Sequence, residues 1–283
     1  MIASVNGLRL FYAEHGEGAP VLLLHGFPET HRSWDLQLPA LAQAGYRAIT
    51  PDLRGYGQTE APKRGYDLDT LSRDVAELIE HAGAGKVSLV GHDWGGAVAW
   101  HVATRYPEKL DRLIVIDCPH PVLMARALRS NLRQLRRSWY MFFFQLPELP
   151  ERLLAARGGA RLRSIFHEHP RPASIVDATA QALSQPGALR GPLAYYRTMF
   201  RRGIPDLVRG RFEEGYRPIE LPVTVIWGDE DEALGTELID GTERFAPDLE
   251  VHIVKGAGHF VHQERPDEVN ALLLAALARP RAS

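Results

Sequence analysis

Apolar residues fall into two kinds of run along this chain. The first kind is short and nearly continuous: "PVLLLHG" (20–26), "YRAITPD" (46–52), "KVSLVG" (86–91), "DRLIVIDCP" (111–119), "LPVTVIWGD" (221–229) and "LEVHIVKG" (249–256). Runs of this length, bounded by Gly, Pro or Asp, predict strands buried on both faces. An earlier run, "LRLFYAEHG" (8–16), predicts a strand closed by Gly16 and Gly18. The second kind repeats every three to four residues. It predicts helices over "SWDLQLPALAQAG" (33–45), "DLDTLSRDVAELIEHAG" (67–83, opening on the cap Asp67), "GAVAWHVATRYP" (96–107), "GTELIDGTERFA" (235–246) and "DEVNALLLAALA" (267–278). Strands alternating with helices predict an α/β fold, a parallel sheet covered on both faces.

The alternation stops at Pro119 and resumes at "LPVTVIWGD". The stretch between holds helix-like segments such as "LMARALRSNLRQLRRSWYMFFFQ" and no clear strand signal. The expected division is therefore a core of residues 1–118 and 215–283, interrupted by a helical cap, 119–214. The cap is expected over the C-terminal edge of the sheet, where open parallel sheets bind ligands.

With 283 residues, 45% of them hydrophobic, the chain buries a core without metal or disulfide staples. One cysteine, Cys118, excludes an intrachain disulfide and fits a reducing, cytoplasmic setting. It reads as a small buried hydrophobe rather than a nucleophile. No secretory leader is expected, because no apolar core follows a basic start. No apolar run approaches the ~20 residues of a membrane span, and a net charge of −2 argues against nucleic acid. Residues 119–217 carry 17 arginines, no lysine and seven acids. That imbalance reads either as a solvated arginine-rich surface or as a basic lid that attracts anionic ligands or a membrane surface.

The chemistry concentrates in "VSLVGHDWGGAVAW" (87–100). Gly91-His92-Asp93-Trp94-Gly95 has the spacing of a nucleophile elbow, a tight strand-to-helix turn, with aspartate where serine usually stands. In such an elbow the partners follow in the order nucleophile, acid, histidine. The histidine is His259, in "GAGHF" after the last strand. The acid is Asp231 in "GDEDEAL", with Asp117 as runner-up. Upstream, "HGFPE" turns the chain at His25-Gly26 and Pro28, so that the Phe27 and Trp94 N–H groups form an oxyanion hole. Two weaker signals fail. "GAGK" (83–86) lacks the first glycine and the Ser/Thr of a phosphate loop, and His252, His259 and His262 have no accompanying ligand set for zinc.

"HGFPE", "GHDWGG", "WGDEDEAL" and "GAGHF" resemble the α/β-hydrolase superfamily in its aspartate-nucleophile branch, the epoxide hydrolases and haloalkane dehalogenases. The resemblance covers the whole chain. It implies cofactor-free and metal-free hydrolysis, with a small apolar epoxide and water as partners. Asp93 would be the nucleophile and His259 the base. An ionised carboxylate needs no deprotonation and attacks saturated carbon directly, leaving an alkyl ester. The departing alkoxide needs a proton donor, whereas a halide does not. The segments "SWYMFFFQLPELPE" and "GALRGPLAYYRTMF" resemble those that carry the paired lid tyrosines of epoxide hydrolases, which implies Tyr140 and Tyr196 as donors, with Tyr195 the alternative to Tyr196. Haloalkane dehalogenase is the first rival. It often has Asn where Phe27 stands, and Trp94 suits both branches. Haloacetate dehalogenases place arginines after the aspartate, where this chain has Trp94, Gly95, Gly96 and Ala97. A catalytically silent binding protein on the same fold is the second rival.

Overall fold

A computed structural model describes residues 1–165, 169–203, 205 and 212–280. The strands are β1 (Ile2–Val5), β2 (Leu8–His15), β3 (Ala19–Leu24), β4 (Tyr46–Pro51), β5 (Val87–His92), β6 (Leu110–Ile116), β7 (Val223–Gly228) and β8 (Leu249–Val254). They form one sheet in the order β1-β2-β4-β3-β5-β6-β7-β8. β3 to β8 run parallel to one another, and β2 pairs antiparallel with β4 and with β1 to add an antiparallel edge. Every residue of β5 and β7 is buried, as continuous apolar runs require when helices cover both faces.

The helices that flank the sheet are α1 (Leu38–Gln43), α2 (Leu68–His81) and α3 (Trp94–Arg105), with α10 (Val261–Glu264) and α11 (Pro266–Ala278) at the end of the chain. Asp67 caps α2, its side chain accepting from the Thr70 N–H at 3.0 Å. Between β6 and β7 the described elements are helical: α4 (Pro121–Ser130), α5 (Leu132–Arg137), α6 (Trp139–Phe143), α7 (Leu149–Arg163), α8 (Ala173–Leu183), α9 (Arg190–Thr198) and a π-turn at Met199–Gly203.

Three local expectations need correction. The helix expected over 33–45 splits into a 3-10 turn, His31–Trp34, and α1, because Pro39 lacks the N–H that would continue a helix from the turn. The helix expected over 235–246 is two 3-10 turns, Thr236–Leu238 and Thr242–Arg244. They are separated by Gly241, whose φ of 93° is left-handed. β1 is an additional strand. It pairs with β2 across Asn6-Gly7, both at positive φ, which is a hairpin signal.

Candidate active site

Asp93 stands where β5 turns into α3, at φ 49° and ψ −119°, a conformation that a non-glycine residue adopts only when its surroundings enforce it. Glycine supplies the room. A Cβ on Gly95 would overlap the Leu24 carbonyl, and one on Gly26 would overlap the Asp93 side chain. Close approach at Gly26 lets the Phe27 N–H donate to Asp93 Oδ1 at 2.7 Å. The Trp94 N–H is the first of α3, one of the helix donors without a partner inside the helix. The turn at residues 25–28 is fixed from beneath. His25 Nε2 accepts from the Leu53 N–H at 3.0 Å, so its Nδ1–H donates to the Gly26 carbonyl at 2.9 Å. Burial lowers the His25 pKa, in keeping with that neutral tautomer. The Phe27–Pro28 peptide is cis.

His259 follows β8 and lies across the elbow. Its Nε2 is 3.5 Å from Asp93 Oδ2, and its Nδ1 is 2.8 Å from Asp231 Oδ2. Asp231 is itself anchored, Oδ1 accepting from the N–H groups of Ala233 and Leu234 at 2.8 and 2.9 Å. Burial alone would lower the His259 pKa. The carboxylates of Asp231 and Asp93 outweigh it and hold the imidazole well above its usual range. Asp117, the runner-up acid, is fully buried but turned elsewhere. It accepts from the Gly228 N–H at 2.8 Å and the Val261 N–H at 3.3 Å. Burial and then the charge of Asp231 push its carboxyl up.

Above Asp93 lies a cavity of about 600 Å³, lined by Asp93, Trp94, Cys118, Tyr140, Met141 and Tyr196 among others. The Tyr140 and Tyr196 rings are 6.0 Å apart at 81°. Burial, followed by the negative charge of Asp93, pushes both phenols well above 10, and a hydrogen bond with Trp94 moderates the rise at Tyr196. Tyr196 also packs edge-on against Phe27 and Trp94, at 5.4 and 5.1 Å. Tyr195 has a different task, its hydroxyl donating to the Arg54 carbonyl at 2.9 Å. Cys118 is buried, and its thiol is pushed up by burial and then by Asp93.

The sequence reading assigned no role to Glu29 or His92, and the structure places both directly behind the elbow. The Glu29 carboxylate accepts from the Gly26 N–H (3.1 Å), Ser33 Oγ (2.6 Å), His92 Nδ1 (2.8 Å) and Gln263 Nε2 (2.5 Å). His92 Nε2 faces the His259 carbonyl at 2.8 Å. Both ring nitrogens of His92 therefore face acceptors, so both carry protons and the pair is an imidazolium with a carboxylate. The shifts agree. Burial raises Glu29 and lowers His92, and each partner's charge reverses the sign for the other. The ion pair ties the residue 25–29 turn, the elbow and the His259 loop together. Glu29, His92 and His262 also bring three ligand-type atoms within 4.8 Å. Four donors already occupy the Glu29 oxygens, so this donor set is a hydrogen-bond hub and not a metal cradle.

A parallel sheet with a strained aspartate elbow at the C-terminal end of β5, followed by an acid and a histidine on later loops, defines a class. The alpha/beta hydrolase fold family matches residues 19–266, and the chain belongs to that family. Within it, the chain resembles the epoxide hydrolases. It is 35% identical over 282 residues to Epoxide hydrolase 4 of Homo sapiens, which covers 95% of this chain and 75% of that protein. It is 37% identical over 282 residues to AB hydrolase superfamily protein YfhM of Bacillus subtilis (strain 168), which covers 97% and 96% of the two chains. A crystal structure of Bacillus megaterium epoxide hydrolase in complex with an inhibitor matches with a TM-score of 0.89 at 32% identity, over 99% of this chain and 100% of that one.

Proposed function

We propose that the protein is a cofactor-independent epoxide hydrolase that forms a vicinal diol through an alkyl ester on Asp93. The helical segment 119–214 serves as a cap over the site. The observation that carries the reading is the elbow itself. It presents a carboxylate where an acyl-transfer hydrolase presents a hydroxyl, with Phe27 N–H on one oxygen and His259 Nε2 near the other.

In the first step Asp93 Oδ2 attacks an oxirane carbon. The C–O bond of the ring breaks, and the oxygen that leaves takes a proton from Tyr140 or Tyr196. Asp93 loses its charge as the ester forms. Its charge is one of the influences that raise both phenols and His259. Alkylation therefore makes the phenols stronger acids as the alkoxide develops, and it lowers the His259 pKa before a base is needed. In the second step His259 removes a proton from water, which attacks the Asp93 carboxyl carbon. The oxyanion develops on Oδ1, which already accepts from the Phe27 N–H, and the Trp94 N–H at the start of α3 serves as the second donor. Collapse breaks the bond between the carboxyl carbon and Oδ2. The departing alkoxide takes the second proton of the attacking water and leaves as the diol, Asp93 is again a carboxylate that holds the oxygen from water, and the proton on His259 returns to the tyrosine oxygen. Asp231 orients His259 throughout. The two phenols over the nucleophile favour this chemistry over halide displacement, which requires no proton.

Replacement His259→Gln tests the order of the steps. Alkylation should survive and ester hydrolysis should slow by ~10²–10⁴. Intact-mass spectrometry after addition of styrene oxide should then show one adduct per chain. An unmodified protein with substrate untouched would remove His259 from the second step.

A further inference from the structure

The large apolar side chains that the fold leaves exposed are not scattered. Of the nine among the described residues, five lie between residues 132 and 149: Leu132 (77% exposed), Trp139 (64%), Phe142 (48%), Leu146 (44%) and Leu149 (45%). Leu132, Arg136, Trp139 and Phe142 recur at three- and four-residue spacing through α5 and α6, which puts them on one face. The opposite face is committed to the fold. Gln134, Ser138 and Met141 are buried, and Gln134 Nε2 donates to the Ala233 carbonyl at 2.8 Å. Basic residues frame the apolar face. Residues 129–152 hold five arginines and two glutamates. Arg133 and Arg136 are exposed and form no ion pair among the described residues, whereas both glutamates are paired, Glu148 with Arg152 and Glu151 with Arg197.

We infer that this face of the cap docks on the surface of an anionic lipid bilayer. Tryptophan and phenylalanine at helix spacing with arginine beside them suit the interface, the rings among headgroups and the guanidinium groups on phosphates. A second copy of the chain fits worse, because a symmetric pairing of this face would set arginines against arginines. A bilayer also holds apolar epoxides at high local concentration. Phe142 is exposed on the docking face and lines the cavity above Asp93, so the two surfaces adjoin. No helix among the described residues is long and apolar enough to cross a membrane, and docking requires none.

Trp139 makes the docking readable. The other four tryptophans, Trp34, Trp94, Trp100 and Trp227, are buried. With vesicles of phosphatidylcholine plus phosphatidylglycerol, Trp139 emission should shift to the blue, and acrylamide quenching should fall. Vesicles of phosphatidylcholine alone should give a much smaller response. Added salt should weaken the response. Each of Arg133→Gln and Arg136→Gln should lower the vesicle association constant about fivefold. Trp139→Ser/Leu146→Ser should lose most of the vesicle binding in co-sedimentation, while its melting curve and its turnover of a small water-soluble epoxide match the parent. No association with either vesicle would overturn the inference. So would protection of Trp139 that rises with protein concentration in the absence of lipid, which would assign the face to a second copy. Because turnover of the soluble epoxide is read separately, failure of docking leaves the proposed chemistry standing, and the reverse holds too.

Discussion

Replacing both Tyr140 and Tyr196 by Phe isolates the proton donors from the rest of the site. The change removes two hydroxyl oxygens and keeps both rings, so the edge contacts of Tyr196 with Phe27 and Trp94 are retained. One positioned donor is commonly worth ~2.7–4 kcal/mol of transition-state stabilisation, or about 10²–10³ in rate. In the proposed mechanism the two phenols act on one developing alkoxide, and their rings lie 6.0 Å apart. Either alone still serves it, so their losses do not combine independently. A single Phe variant should therefore lose at most about 10²–10³ in the alkylation rate. The double variant should lose more than either single and approach inactivity on epoxides. Rapid-quench measurement of adduct formation on styrene oxide reads the step directly, and circular dichroism checks the fold. Side activity on a bromoalkane should fall far less, because bromide leaves without a proton. Equal losses on the two substrates would reassign the tyrosines to packing. Full epoxide activity in the double variant would refute the donor argument.

Asp231→Asn should slow ester hydrolysis by ~10²–10⁴ and accumulate adduct. Asp117→Asn should be much milder, because Asp117 accepts from Gly228 and Val261 rather than from His259; the reverse ranking in single-turnover kinetics would exchange the two roles. Asp93→Asn imitates the uncharged ester, so the His259 pKa should fall from its raised value, as read by ¹⁵N NMR of the imidazole. The raised pKa stabilises the parent fold fully below ~6.5 and loses that contribution as pH rises through the folded value. The part of the melting-temperature difference between parent and variant that arises from His259 should therefore be largest at acidic pH and shrink as pH rises, and an unchanged imidazole titration would count against the coupling.

The legible parts of this protein are those whose signal is local. Buried runs such as "KVSLVG" and "LPVTVIWG" become β5 and β7, because a strand covered on both faces needs little beyond a short apolar segment with turn residues at its ends. The positions of Asp93, Asp231 and His259 relative to the sheet are legible because each follows a strand within a few residues, β5, β7 and β8 in turn. What stayed hidden depends on distance along the chain. Glu29 reaches His92 across 63 residues and Gln263 across 234, so no spacing rule connects them. The choice of Asp231 over Asp117 rests on a side-chain direction. That of Tyr196 over Tyr195 rests on one step of a helix, about 100°: both residues line the cavity, but the Tyr195 hydroxyl is committed to the Arg54 carbonyl. The edge strand β1 was signalled by Asn6-Gly7 but is only four residues long. Gly241 ended a helix that its apolar spacing alone would have continued.

The central claim is that Asp93 becomes esterified, and oxygen bookkeeping over one turnover tests it most directly. With enzyme in excess over styrene oxide in ¹⁸O-water, the diol from the first turnover should contain no label, because its new oxygen comes from Asp93. Mass spectrometry of the peptide that holds Asp93 should show one heavy oxygen gained. Label in the first-turnover diol with an unlabelled Asp93 peptide would mean that water attacks the epoxide directly, and the ester account would be wrong.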